Sequence, residues 1–142
     1  KNVIALAVGV AAGLELGYNP AAALMTRGLE EISRLSIAMG GKRGTLAGLT
    51  GMGDLVLTCT GHLSRNRRVG LELGKGRPLA EIVSTTDQVA EGVSTTHAAV
   101  ALAKQHDVEM PIVFQMDRLL SGKTTPREAM KELMSRPLRS ES

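Results

Sequence analysis

Only two aromatic residues, Tyr18 and Phe114, occur in this chain of 142 residues, and tryptophan is absent. That scarcity weighs against a sheet, because strands favour aromatic and β-branched side chains. The apolar share of 43% comes mainly from Leu, Ala, Val, Ile and seven Met. Such residues pack helices closely, so we expect an all-α fold: a single multi-helix domain over residues 1–142. Charged residues make up 22% and the net charge is +3. This mild excess suits a small anionic ligand and does not call for nucleic acid. The lone Cys59 excludes an internal disulfide, fits a reducing compartment, and reads as a buried, inert thiol. No apolar run reaches the ~18 residues of a membrane span, and no signal-peptide pattern is present.

Periodicity divides the chain into helices. Lys1 to about Leu16 carries Val3, Ile4, Ala7, Val8, Ala11 and Leu14 or Glu15 at three-four spacing. Gly9 and Gly13 share one face, which favours a close helix crossing over room for a ligand. Gly17-Tyr18-Asn19-Pro20 reads as a turn, with Asn19 as N-cap and Pro20 first in the next helix. That helix runs to about Met39 and stops at Gly40-Gly41. Its Arg27, Glu30, Glu31 and Arg34 read as a solvated or interface side, with Glu30 and Arg34 a surface pair.

Lys42 to Gly48 reads as one helical turn and Gly53 to Thr60 as a short helix. Ser64 starts a helix to about Gly74, and Pro78 one through Val83. Ser84 to Val93 reads as an extended or irregular loop. Ser94 or Thr95 then caps a helix through Gln105, with Ala98, Ala99, Leu102 and Ala103 inward. Met110-Pro111 restarts a helix to about Leu120. Thr125-Pro126-Arg127-Glu128 has the capping-box form and opens a last helix to about Met134. Residues 136–142 read as a polar, frayed tail. The chain opens on what reads as the inside of a helix, so we expect a fragment or excised domain.

One stretch concentrates unusual chemistry. Gly48-Leu49-Thr50-Gly51-Met52-Gly53-Asp54-Leu55-Val56-Leu57-Thr58-Cys59 is glycine-dense with one acid, and Ser64-Arg65-Asn66-Arg67-Arg68 follows. Small residues let a ligand approach the backbone closely. A Ser-Arg-Asn helix start offers hydroxyl, guanidinium, amide and free N–H groups to an anion. Together they point to a small, phosphorylated, hydroxylated molecule. The glycines run G-x-x-G-x-G, the reverse of a dinucleotide fingerprint, and no βαβ unit surrounds them. They shape tight turns beside Asp54. Arg67 and Arg68 read as a solvated face.

These segments resemble the substrate-domain signature of the bacterial NAD(P)-dependent glycerol-3-phosphate dehydrogenases. Lys1-Asn2-Val3-Ile4-Ala5 is similar to that family's catalytic-lysine helix, and Gln88-Val89-Ala90-Glu91-Gly92 to a third segment. The three occur in the family's order, and the likeness weakens after about residue 120. The resemblance implies a helical C-terminal domain like those of glycerol-3-phosphate and 6-phosphogluconate dehydrogenases. It implies interconversion of sn-glycerol 3-phosphate and dihydroxyacetone phosphate with NAD or NADP, for glycerophospholipid synthesis in the cytoplasm. The cofactor would be held mainly by an N-terminal Rossmann-type domain of the same parent chain, absent from these residues. Such a fragment alone is expected to be inactive, and a homodimer is left open.

The resemblance also assigns roles. Lys1 becomes the proton donor and acceptor; partial desolvation in a cleft lowers a lysine pKa towards the working pH. Asp54 lies against the substrate and near the lysine; by itself it reads equally as an acid favoured by a helix start. Ser64, Arg65 and Asn66 bind substrate, with Arg65 suited to two parallel bonds to phosphate oxygens. Arg65, Val89 and Glu91 touch the cofactor. His62, His97 and His106 lack metal-ligand spacing, so no metal is expected. The residues alone also admit a non-catalytic phosphate- or nucleic-acid-binding module using 64–68, or a plain helical interaction domain. Missing stacking aromatics and the mild charge count against nucleic acid.

Overall fold

The computed structural model describes residues 2–40, 65–83 and 89–135. The expected helices at 42–48 and 53–60, Cys59 and the tail at 136–142 lie outside them. Among the described residues there are seven helices and no strand, as an aromatic-poor chain should give. They are α1 Asn2–Gly13, α2 Tyr18–Ala38, α3 Arg65–Gly74, α4 Leu79–Val83, α5 Val89–Gln105, α6 Pro111–Leu120 and α7 Pro126–Ser135.

α1 is the axis of the fold. Every side chain from Val3 to Ala11 is buried, so this helix has no solvent face. The three-four pattern accounts for Val3, Ile4, Ala7, Val8 and Ala11; Ala5, Leu6 and Val10 are buried too, because helices pack on several sides. α2, α3, α5 and α6 all lie against it, α3 most extensively. The rest of the core is aliphatic and methionine-rich, with Met110, Met116 and Met130 enclosed and Phe114 only half-buried.

The α1–α3 contact is made by glycines. A Cβ placed on Gly9 would fall on the Arg67 carbonyl oxygen, and one on Gly13 on that of Leu71. Conversely, a Cβ on Gly70 would strike the Leu6 carbonyl oxygen and one on Gly74 that of Val10. The two backbones therefore touch, as the four-residue spacing of Gly9 and Gly13 led us to expect. Gly9 faces Gly70 and Gly13 faces Gly74, so the helices run parallel.

Several boundaries differ from the expected ones. α1 ends at Gly13 rather than near Leu16, and Glu15 turns the chain with a φ of 60°. Gly17, with a φ of 90°, is the N-cap of α2, not Asn19. Pro20 sits inside the first turn, where its missing N–H leaves no bond unmade. Of the expected loop at 84–93, residues 84–88 lie outside the described ones and the rest is corrected: α5 runs from Val89, so Ser94 and Thr95 lie within the helix rather than capping it. Gly92 and the β-branched Val93, Thr95 and Thr96 have weak helix propensity, but burial of Thr96, Val100 and Ala103 outweighs it. Ala98 is exposed rather than inward. The Thr125 cap is as expected: its Oγ1 accepts from the Glu128 N–H at 3.2 Å.

The polar side of α2 is an interface, although Glu30 and Arg34 on it still reach solvent. Arg27 donates to the Leu133 carbonyl at 2.5 Å, near the end of α7. Arg34 donates to the Glu109 carbonyl at 2.9 Å, while its Nε lies 3.8 Å from Glu30. Between them Glu31 is 2% exposed. Its carboxylate accepts from the Ile112 N–H at 3.0 and 3.1 Å and from the Val113 N–H at 3.4 Å. Met110, the N-cap of α6, provides no side-chain bond. Glu31 thus caps α6 from another helix.

Candidate active site

Two of the expected substrate-binding residues open α3. Arg65 is exposed and Asn66 half-buried, with no acid in that first turn. The first N–H groups of a helix have no partner within it, and the helix dipole adds partial positive charge there. An arginine and an amide on such a turn form a receptive end for an anion.

The glycine crossing decides what stands beside that end. In its parallel register, Ile4 lies level with Arg65, so α1 and α3 begin side by side. Neither helix has an acidic residue in its first turn. The described acids nearest in sequence to α3's receptive start gather at its opposite end. There Arg77 donates to Glu72 at 2.8 Å and to Glu81 at 3.3 Å, tying α3 to α4. The hydrogen bond from Arg77, helped by its charge, holds the Glu72 carboxyl below its ordinary value of 4.5. Glu72 in turn raises Arg77.

Val89 and Glu91 lie in the first turn of α5, not in a loop. Lys1, Asp54 and Ser64 lie outside the described residues. Among those described, no three His, Cys, Asp or Glu side chains gather as metal ligands. His97 Nδ1 instead meets Asp117 Oδ1, pinning α5 to α6. None of the described helices is long and apolar enough to cross a membrane.

Sequence reasoning did not single out Gly70 and Gly74, the glycines that give the site's helices their register. Their signal was present: they repeat the four-residue spacing of Gly9 and Gly13 on a second expected helix. Glu31 was hidden because it shares its helix with charges that do reach solvent.

The fold is that of part of a solved glycerol-3-phosphate dehydrogenase from Coxiella burnetii. The TM-score is 0.88 at 49% identity, covering 95% of this chain and 42% of that one. The sequence is 62% identical over 138 residues to glycerol-3-phosphate dehydrogenase [NAD(P)+] of Koribacter versatilis, covering 96% of this chain and 41% of the relative. It is 58% identical over 142 residues to the Acidobacterium capsulatum protein of the same name, covering 99% and 42%. Residues 1–131 match the family described as NAD-dependent glycerol-3-phosphate dehydrogenase C-terminus, and the chain belongs to that family. It spans about two fifths of the length of these relatives.

Proposed function

We propose that this chain is the substrate-binding and catalytic half of an oxidoreductase that interconverts sn-glycerol 3-phosphate and dihydroxyacetone phosphate with NAD or NADP. Membership of the glycerol-3-phosphate dehydrogenase C-terminal family carries this proposal. The parallel start of α1 and α3 supports it, because the helix that follows Lys1 begins beside the turn that bears Arg65 and Asn66.

The substrate phosphate sits at the start of α3, held by Arg65, Asn66 and Ser64 at the positive end of the helix dipole. Lys1 gives a proton to the carbonyl oxygen as the carbonyl becomes an alcohol, and takes it back in the reverse direction. Its positive form also polarises the carbonyl beforehand. Asp54 accepts a hydroxyl hydrogen bond and orients the lysine. When bound, the nicotinamide supplies or receives the hydride at the carbonyl carbon. An exposed arginine beside a half-buried asparagine fits the anionic and hydroxylated parts of such a nucleotide. As the family resemblance implies, Arg65 serves cofactor as well as substrate, with Val89 and Glu91 contributing from the start of α5. A Rossmann-type domain elsewhere in the parent protein holds most of the cofactor, so these 142 residues alone should show no steady turnover. The product of reduction enters glycerophospholipid synthesis in the cytoplasm.

Two substitutions in the full-length dehydrogenase test the roles. Lys1→Ala should lower kcat by about 10²–10⁴-fold, the usual worth of general acid–base catalysis. Arg65→Ala should mainly raise KM for dihydroxyacetone phosphate, by roughly 10-fold or more for a lost charge-assisted bond. Retention of full kcat by Lys1→Ala would remove the lysine from the chemistry.

A further inference from the structure

The α1–α3 crossing does more than pack two helices. At all four glycines the obstacle to a Cβ is the facing backbone, not a side chain that can rotate away. Gly28 shows the contrast: a Cβ there would meet the Ile4 side chain, at 2.7–2.8 Å. An alanine at Gly9 or Gly70 must therefore push one whole helix from the other. α1 has no free side towards which to yield, because its side chains from Val3 to Ala11 are buried on every face. A change in spacing at Gly9–Gly70 is transmitted to the two helix starts, which lie only one to two turns away.

We infer that Gly9 and Gly70 are positioning residues for the reaction: their backbone contact sets the reach between the start of α1 and the phosphate-binding turn of α3. The inference rests on the roles proposed above for Lys1 and Arg65. A substrate anchored by its phosphate at Arg65 presents its carbonyl oxygen at a fixed distance from α3. Lys1 must come within ~2.6–3.2 Å of that oxygen to pass a proton. Widening the crossing withdraws the lysine while leaving the anion site on α3 intact. The signature is a fall in kcat without a matching rise in KM.

The test is a double-mutant cycle in the full-length enzyme, on variants whose helical circular dichroism matches the parent. Gly70→Ala alone should lower kcat on the order of 10²-fold, the cost of a misplacement near 1 Å, with KM for dihydroxyacetone phosphate little changed. In the Lys1→Ala background, where no lysine remains to be misplaced, the same substitution should cost almost nothing. Equal losses in both backgrounds, or an undiminished kcat in Gly70→Ala, would overturn the inference while leaving the lysine's role standing. Full activity in Lys1→Ala alone would overturn the role and the inference together. Should Gly70→Ala not fold, Gly74→Ala wedges the same crossing against the Val10 carbonyl and takes its place in the cycle.

Discussion

Glu31 is the described side chain on which the helical arrangement most visibly depends. It is buried, it belongs to α2, and it accepts the first amides of α6. An ionised acceptor aimed at a helix start gains from both hydrogen bonding and the helix dipole. Removing it leaves buried N–H groups without that acceptor. Glu31→Ala should therefore destabilise the domain by about 3 kcal/mol, measured by urea unfolding. Glu31→Gln keeps an oxygen acceptor and should cost less. Equal stability of the alanine variant and the parent would show that α6 needs no partner from α2. A second residue-scale test is Met130→Ala, which should cost about 2–5 kcal/mol because the side chain is enclosed. The burial of Val3, Ile4 and Ala7 could be read from helical spacing, whereas that of Glu31 could not. Local sequence shows an acid among charges, and only the fold shows which helix end lies opposite it.

Between elements, the joint from α3 to α4 carries a definite pH dependence. Arg77 holds Glu72 below its ordinary value in the folded protein. A carboxyl with a depressed folded pKa stabilises fully above its unfolded value and loses that contribution as pH falls through the lowered one. Replacing Arg77 by Ala should return the Glu72 titration towards 4.5, read by NMR on the side-chain carboxyl. A Glu72 titration that stays depressed would assign the effect to another group. At α7, Thr125→Ala removes a cap and should cost about 1 kcal/mol. The caps and stops at Thr125, Gly40 and Pro111 were legible because each acts within a few residues of itself. The start of α5 was not, since Gly92 and three β-branched residues speak locally against a helix that tertiary burial imposes. Of the candidate site, the anion-receptive turn at Arg65 was legible as a helix start. Its neighbour was not: Gly9 and Gly13 announce a close crossing but do not name the helix crossed.

For the molecule as a whole, an aliphatic interior arranged round one enclosed helix predicts a graded response to unfolding. Amides of residues 6–11 should exchange with solvent only through global opening, whereas α4, five residues long and partly exposed, should open locally. Native-state hydrogen exchange in dilute denaturant checks this. Faster, sub-global exchange in α1 would place the core elsewhere. The all-helical class was readable from the near absence of aromatics, but the identity of the central helix was not. An apolar face on α1 was plain, yet its burial on all sides depends on neighbours drawn from distant parts of the chain.

That central helix also sets a problem for biosynthesis. α1 leaves the ribosome about sixty residues before the glycines of α3 against which its backbone must seat. At ordinary rates of translation this delay is roughly 3–12 s. Throughout it, the glycine face of α1 that α3 will cover stays in water or in the hands of a chaperone. The nascent chain, more than the finished protein, should be the form that depends on cellular protection.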